Sequence, residues 1–600
     1  MISAHSVHDA PWVPGMDRAQ RTVPVPLPEG LPAGLRALLV LEDAAASVPV
    51  AVAALDPADG TLRVRVSEPA GGRVSVLVFV PAVDATALWL PGSDRRQSGL
   101  PPSWADDLAF SPFAGAPLGS LIGRNDRPVV TFGARARGGR LRMRAGMVEE
   151  TAELLVDFAA DLSEGELEVV LALAPEDFGT AVGRVRDAVG LRRPAVAEEN
   201  LHPVLCTWYS FHQALDQDRL LAQARTAAAM GFGTVIIDDG WQTTDNARGY
   251  GSCGDWRVEP SKIADSAALV SELAGLGLRT MFWVATPFLG YRSAAYAERE
   301  LPTLYDEPAM EAAVLDPRSR RVREHLVERL TALLRDTGAA GLKIDFLERF
   351  AVDDPAASPE DSSGESVVRA ALGLLDELHA SASAVRPEPM IEFREPYWSP
   401  ETLRRTTMMR VADCPLSPAR NRVGIVDLRL ATAGVAVHSD PIMWAKADTP
   451  ERVAQHLHSS LFGVPQVSIA LDGQSPEQFA TLRTWMRFWT EHRNVLLHGR
   501  LRVVGIASDY AAVEAAHDGV VITAQYAPVV SDAPAHASEW IVVNAHEQEV
   551  LLRSAAPRTA RYSIVDCMGT LVEEGDQVLN GVTALAVPAG GMLRATFEDR

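Results

Sequence analysis

Between residues 200 and 475, short apolar runs end repeatedly in charged residues. TVIIDDGW (234–241) ends with Asp238, Asp239 and Trp241, and GLKIDFLE (341–348) carries Lys343, Asp345 and Glu348. MIEFREPY (390–397) brings Glu392, Arg394 and Glu395, MRVADC (409–414) brings Arg410 and Asp413, and VAVHSD (435–440) brings His438 and Asp440. Trp208, Tyr209, Trp241, Trp256, Trp283 and Trp398 lie close by in sequence. Carboxylates with aromatic rings suit a sugar. Its C–H faces pack on indole, while carboxylates, Lys and Arg bind its hydroxyls. Cleaving a glycosidic bond needs two carboxyl groups. Two of these acids would fill those roles, and spacing alone does not say which.

The elements that must position these residues follow from the texture of the chain. VLCTWYSF (204–211), TVIIDDGW (234–241), RTMFWVAT (279–286) and GLKIDFLE (341–348) read as strands, followed by MIEFREPY, MRVADC, VAVHSD and PQVSIALD (465–472). Helical segments such as DRLLAQARTAAAMG, ending at Gly231, and RVREHLVERLTALLRDTG, ending at Gly338, separate them. Fully apolar strands alternating with amphipathic helices predict a parallel sheet, and eight of them predict a (β/α)8 TIM barrel. Such barrels carry their catalytic groups at the C-terminal strand ends, where these charges fall. Before the barrel, short apolar runs alternate with Gly/Pro turns from about residue 30 to 190 and predict a β-sandwich. After the helix QFATLRTWMRFWTEHRNVLL, strand texture returns and predicts a small C-terminal β-sandwich. The expected fold is therefore multidomain: residues 1–200 sandwich, 201–500 catalytic barrel, 501–600 sandwich.

Composition narrows the partners. The 600 residues carry a net charge of −22, which repels phosphate backbones and anionic lipid and argues against nucleic-acid and membrane partners. Four cysteines without a CxxC pair argue against a disulfide scaffold and a structural zinc site. The first 20 residues lack the basic start and apolar stretch of a signal peptide, and no run of 18 apolar residues occurs. A cytoplasmic, reduced protein that needs no cofactor is expected.

At the charged strand ends the sequence resembles the α-galactosidases of glycoside hydrolase family 36, in the melibiase-like clan. The resemblance runs from about residue 200 to 505. It rests on Asp238-Asp239-Gly240-Trp241, Gly254-Asp255-Trp256, Leu315-Asp316-Pro317 and Lys343-Ile344-Asp345 in that order, and on RNVLLHGRL (493–501). The resemblance implies Asp345 as nucleophile, Asp413 as acid/base, and a retaining mechanism through a covalent glycosyl-aspartate. It also implies that Asp238, Asp239, Lys343, Arg394, Arg410, Glu392 and Asp440 bind substrate, with Trp208 and Trp241 as aromatic neighbours. The acid/base role requires the Asp413 pKa to rise, so Arg410 is expected on substrate hydroxyls rather than against Asp413. Where the commonest family form has Cys-x-Ser-Gly-Gly-Gly-Arg after strand five, this chain has Glu392 to Trp398. Strand three ends in Ala-Thr-Pro (285–287) instead of Glu-Pro-Glu. With Arg-Val-x-Asp-Cys-Pro and His-Ser-Asp, these departures resemble a bacterial branch of the same family.

Several readings stay open. Asp440 or Glu348 could replace Asp413 as acid. On a regular strand Asp238 and Asp239 cannot both face inward. His438, Asp440 and Glu392 could ligate a metal, which would make the chain an isomerase or lyase barrel instead. A decayed sugar-binding barrel is a non-enzymatic reading. Within the glycosidase reading, the sugar could be an α-galactoside, an α-glucoside or an α-N-acetylgalactosaminide, and transglycosylation competes with hydrolysis. The partner expected is a small oligosaccharide, with a homo-oligomer left open by the family resemblance. Trp89 could reach the barrel mouth from the first domain, Cys253 and Cys414 read as packing residues, and the acidic segment 351–366 reads as a solvated loop.

Overall fold

The computed structural model describes residues 21–41, 50–67, 72–82, 84–92, 99–136, 140–162, 165–173, 177–353, 355, 357–362, 364–415 and 417–597. The N-terminal 20-residue stretch and parts of the 351–366 loop (354, 356 and 363) lie outside the described residues.

Alternation builds the first domain. In Leu62–Ser67 the residues Leu62, Val64 and Val66 are buried while Arg63 and Arg65 face outward. The strands form two six-stranded sheets. Val74, Val76 and Val78 of one sheet join Val64, Phe132 and Val169 of the other in a single hydrophobic core. The two sheets thus share one core between them. The helix Phe178–Ala188, started by Asp177 accepting from Thr180 N–H, then leads toward the barrel.

The barrel strands are Val204–Cys206, Thr234–Ile237, Arg279–Val284, Gly341–Ile344, Met390–Arg394, Met408–Arg410, Ala436–His438 and Gln466–Val467. They pair in parallel in that order, and the eighth returns to the first. Parallel bridges His438–Val464 and Ile442–Val467 bring the seventh strand up to the eighth. The strands are buried on both faces, as a sheet covered by helices requires. Those helices begin where small polar residues cap them: Asp216, Asp265, Ser319, Ser366, Thr449 and Ser475 each accept a backbone N–H from the first turn. Arg320–Thr337 stops at Gly338, whose φ of 74° closes the helix in the left-handed region. A three-stranded antiparallel sheet, Phe288–Gly290, Thr303–Glu307 and Ala312–Leu315, is inserted after the third strand.

The C-terminal strands do not divide into two separate sheets. All eight belong to one hydrogen-bonded network that includes parallel pairs Val520–Gln525 with Glu539–Asn544 and Val530–Asp532 with Val550–Val565. The long strand Val550–Val565 carries a register break between Ser554 and Arg558, and such breaks bend a strand. Its two halves can then enclose one core with Trp540 and Leu593 without a second sheet.

One buried side chain reaches from the first domain to both of the other parts. Trp89 Nε1 donates to Asp427 Oδ1 (3.0 Å) in the barrel helix Pro418–Ala431 and lies 2.9 Å from Tyr510 Oη of the C-terminal part. Tyr510 Oη donates to the same carboxylate. Trp89 therefore belongs to a domain joint and not to the barrel mouth. Among the described residues no helix is long and apolar enough to cross a membrane.

Candidate active site

The C-terminal ends of the barrel strands enclose a pocket lined by Trp208, Asp238, Asp239, Tyr250, Trp283, Lys343, Asp345, Phe346, Arg410, Asp413, Asp440 and Pro441. Asp345 follows directly on the fourth strand and is buried. Its Oδ1 accepts from Arg394 Nε (2.6 Å), Tyr397 Oη (3.2 Å) and Phe346 N–H (2.8 Å), and its Oδ2 from Trp283 Nε1 (3.1 Å). Burial works to raise the carboxyl pKa. Arg394, Arg410 and Lys343 outweigh it and hold the group well below the usual carboxylate range. Phe346, next in the chain, sits at φ 65°, a left-handed conformation rare for a bulky residue. That turn lets its own N–H fold back onto Asp345.

Lys343 lies two residues earlier on the same strand face and donates to Asp238 Oδ2 at 2.6 Å. Both side chains are nearly inaccessible, at 6% and 3% exposure. Asp239 also borders the pocket but is held on both oxygens, by Gln213 Nε2 (2.6 Å) and Gln242 Nε2 (2.7 Å). Burial pushes its carboxyl up to about 6. The alternation that would have sent one of the two aspartates away does not apply, because the strand ends at Ile237.

Arg410 Nη1 donates to both Asp413 Oδ1 (2.8 Å) and Asp440 Oδ1 (2.5 Å). Asp440 is buried and also accepts from Cys414 N–H; burial pushes its carboxyl up to about 7 against Arg410. Asp413 faces the mouth with a side chain 66% exposed. The pocket wall desolvates it enough to oppose ionisation, but Arg410 prevails and its carboxyl lies below the usual range. The expectation that Arg410 would stand clear of Asp413 is thus corrected. Strand register explains the contact: Arg410 ends the sixth strand, paired with Arg394 on one side and His438 on the other, and so points at the carboxylates that follow.

Three expected substrate contacts are placed elsewhere. Trp241 is fully buried beneath the pocket, where its Nε1 donates to the Trp283 carbonyl (3.0 Å). The sequence DDGW leaves the strand immediately and turns the indole into the core. Arg394 is occupied by Asp345, by Glu348 Oε1 (2.9 Å) and by the Glu395 carbonyl (2.8 Å), so it buttresses Asp345 instead of lining the pocket. Glu392 lies deeper inside the barrel, 1% exposed, with Oε2 accepting from Gln466 Nε2 (2.5 Å) and Arg410 Nε 3.8 Å away. Burial pushes it up to about 7.

The metal alternative loses its geometry. His438 Nε2 faces the Asn200 carbonyl at 2.8 Å and must carry hydrogen there, leaving Nδ1 toward Gln466 at 3.3 Å. Among the described residues no group of three or more His, Cys, Asp or Glu side chains converges in a way that could hold a metal ion.

Two family motifs prove architectural. Asp255 accepts the Ala294 and Ala295 N–H groups (2.8 and 3.0 Å) and so starts the helix Ala294–Glu298. Asp316 forms a buried pair with Arg318 at 2.8 Å, and Arg318 reaches on to the Ala357 carbonyl and Ser358. Conversely, Tyr250, Phe346 and Tyr397 were not singled out from the sequence. Tyr250 sits between the DDGW and GDW motifs, and its ring lies against Trp283, 5.8 Å between centroids. Its place between two motif-bearing loops was the signal available.

The barrel thus gathers carboxylates and aromatic walls in one pocket at its C-terminal mouth. A Melibiase family model matches residues 189–390. Alpha-galactosidase AgaA of Geobacillus stearothermophilus is 25% identical over 192 residues, 31% of this chain and 26% of that protein. Alpha-galactosidase 2 of Pediococcus pentosaceus is 26% identical over 186 residues, 30% and 26% of the two chains. The matched stretch thus spans about a quarter of these relatives' length. Fold similarity reaches further. A crystal structure of a GH36 AgaA variant in complex with stachyose has a TM-score of 0.62 at 15% identity, covering 96% of this chain and 86% of that one. The α-galactosidase of Lactobacillus brevis has a TM-score of 0.62 at 12% identity, covering 97% and 85%. The chain resembles GH36 α-galactosidases by sequence across the first half of its barrel and by fold across nearly its whole length.

Proposed function

We propose that the protein is a retaining, exo-acting α-galactosidase that removes terminal α-galactose from small oligosaccharides. Asp345 attacks the anomeric carbon and forms a glycosyl-aspartate, while Asp413 protonates the departing glycosidic oxygen. Asp413 then takes a proton from the water that releases the sugar. The observation that carries this reading is a buried carboxylate, kept ionised by three cations and aimed by Trp283 and Tyr397, in one pocket with a second carboxyl open to the mouth. Asp238, Lys343 and Arg410 are the groups for ring hydroxyls. Trp208, Tyr250 and Trp283 are the walls for its C–H face. Solved relatives in complex with stachyose and raffinose support small galactosides as the substrate class.

The grip of Arg410 on Asp413 shapes the cycle. It favours the ionised, base form that the second half-reaction needs. For the first half, the sugar must draw Arg410 toward Asp440 and its own hydroxyls so that Asp413 can hold a proton.

The test is hydrolysis of a panel of aryl α-glycosides with the first-formed anomer read by NMR. α-Galactose appearing first supports the reading, and β-galactose appearing first indicates inversion and overturns the covalent step. A preference for α-glucoside or α-N-acetylgalactosaminide keeps the chemistry and changes the sugar.

A further inference from the structure

On the opposite face of the barrel from the pocket, where the seventh strand begins at Ala436, the three domains leave a cleft of about 1440 Å³ of empty space, mouth included. Helix Phe178–Ala188 of the first domain, the loop before the seventh strand and strand Arg500–Val504 of the C-terminal part form its walls. In a chain with net charge −22, five arginines line it: Arg186, Arg192, Arg193, Arg429 and Arg500. Asp177 is the only carboxylate among the lining residues, and Arg500 already takes it at 2.9 Å. Arg186 and Arg192 share Asp187 just outside, each at 2.8 Å.

Among the described residues that leaves Arg193 and Arg429 facing no carboxylate. Arg193 Nε donates to the Pro194 carbonyl at 3.2 Å, and Arg429 donates to the carbonyls of Phe462, Leu496 and Leu497. Carbonyls satisfy N–H groups but do not neutralise a charge. Burial lowers the pKa of both groups, Arg429 to about 10, with no acidic neighbour opposing it. An uncompensated cation held away from water is costly, and the planar guanidinium matches oxyanions in particular.

The cluster is also held in place. Arg193 N–H donates to the Ala433 carbonyl (3.0 Å) and Val196 N–H to the Gly434 carbonyl (3.1 Å), so segment 191–196 is pinned along the loop before the seventh strand. At Gly434 a Cβ would fall 2.1 Å from the Arg193 carbonyl oxygen, so only glycine allows this approach. We infer that this cleft binds a compact multivalent oxyanion, of the phosphate or tricarboxylate class, with Arg193 and Arg429 as the charges that receive it. Such a ligand would contact all three domains at once and leave the catalytic pocket free.

Calorimetry and thermal melting of the full-length protein with pyrophosphate and with citrate, at constant ionic strength and with sodium chloride as control, test this. The expected result is saturable one-to-one binding of at least one of the two anions and a melting temperature raised above the chloride control. Arg193→Ala should weaken binding about tenfold or more, and Arg193→Glu should abolish it. Circular dichroism establishes that the variants are folded, and Arg192→Ala, whose charge Asp187 already pairs, is the control that should bind as the unsubstituted protein does. Pyrophosphate binding alone identifies phosphate chemistry, and citrate binding alone identifies carboxylate chemistry. A melting temperature that follows ionic strength only, or undiminished affinity in Arg193→Ala, overturns the inference.

Discussion

The two faces of the barrel handle charge in opposite ways. At the mouth, Asp345 is surrounded by Arg394, Arg410 and Lys343, and almost every cation has a carboxylate within reach. At the other face, Arg193 and Arg429 have carbonyls and no carboxylate. A net charge of −22 describes neither face. A site that performs chemistry on a neutral sugar must be electrostatically complete before its substrate arrives, since the ligand brings no charge to finish it. A site incomplete in charge is suited to a ligand that does.

The sharpest way to break this comparison is Asp345→Ala. Its hydrolysis of aryl α-galactosides should fall about 10⁴-fold or more with the fold intact by circular dichroism. Unchanged turnover would remove the mouth as the catalytic centre. Next in size is Arg394→Ala, which takes away the nearest of the three cations. Turnover should drop about 100-fold. Because that cation lowers the Asp345 pKa, the acid limb of the kcat/KM profile should move to higher pH, and an unmoved limb would show that Arg394 does not set this charge.

A smaller effect concerns Glu392, which faces Lys343, Arg410 and Asp238 and is pushed up from 4.5 to about 7 by burial. Between those values the folded protein keeps a proton that the unfolded chain has released, so stability falls as pH rises across the window. Glu392→Gln should therefore flatten the melting temperature between pH 5 and 8, leaving the slope due to Asp440 and Asp239, raised to about 7 and about 6. An equally steep profile would count against the buried charge. The smallest effect is expected at the other face, where Arg193→Ala removes an uncompensated cation and should raise stability without anion, by about 1 kcal/mol or less in urea unfolding.

Much of the barrel was legible because apolar runs of four to eight residues are hard to mistake when helices alternate with them. All eight runs overlap a strand, yet each extends past its strand toward the mouth. TVIIDDGW leaves the ladder after Ile237, and VLCTWYSF after Cys206, where Trp208–Phe211 forms a helical turn instead. Side-chain character continues past the point where strands stop pairing, because rim loops pack aromatic residues too. That is why Asp238 and Asp239 escape the alternation rule and why Trp241 looks like a pocket wall in sequence although Trp283 and Tyr250 line the pocket. Arg394 and Glu392 were legible as inward-facing but not as to depth, which only register across three strands determines. The C-terminal strands were visible one by one. Their union in a single network depends on the break in Val550–Val565, which Pro557 marks locally without saying how the two halves pair.

The joint at Trp89 limits how such a chain can be cut or recombined. Its indole and the Tyr510 hydroxyl, from the two flanking parts, both end on Asp427 of the barrel. A barrel expressed alone would keep that carboxylate in its helix and lose these donors together with the Gly92 N–H. The barrel is therefore not a portable module: grafting it onto foreign flanks means replacing these hydrogen bonds or removing the acid that needs them.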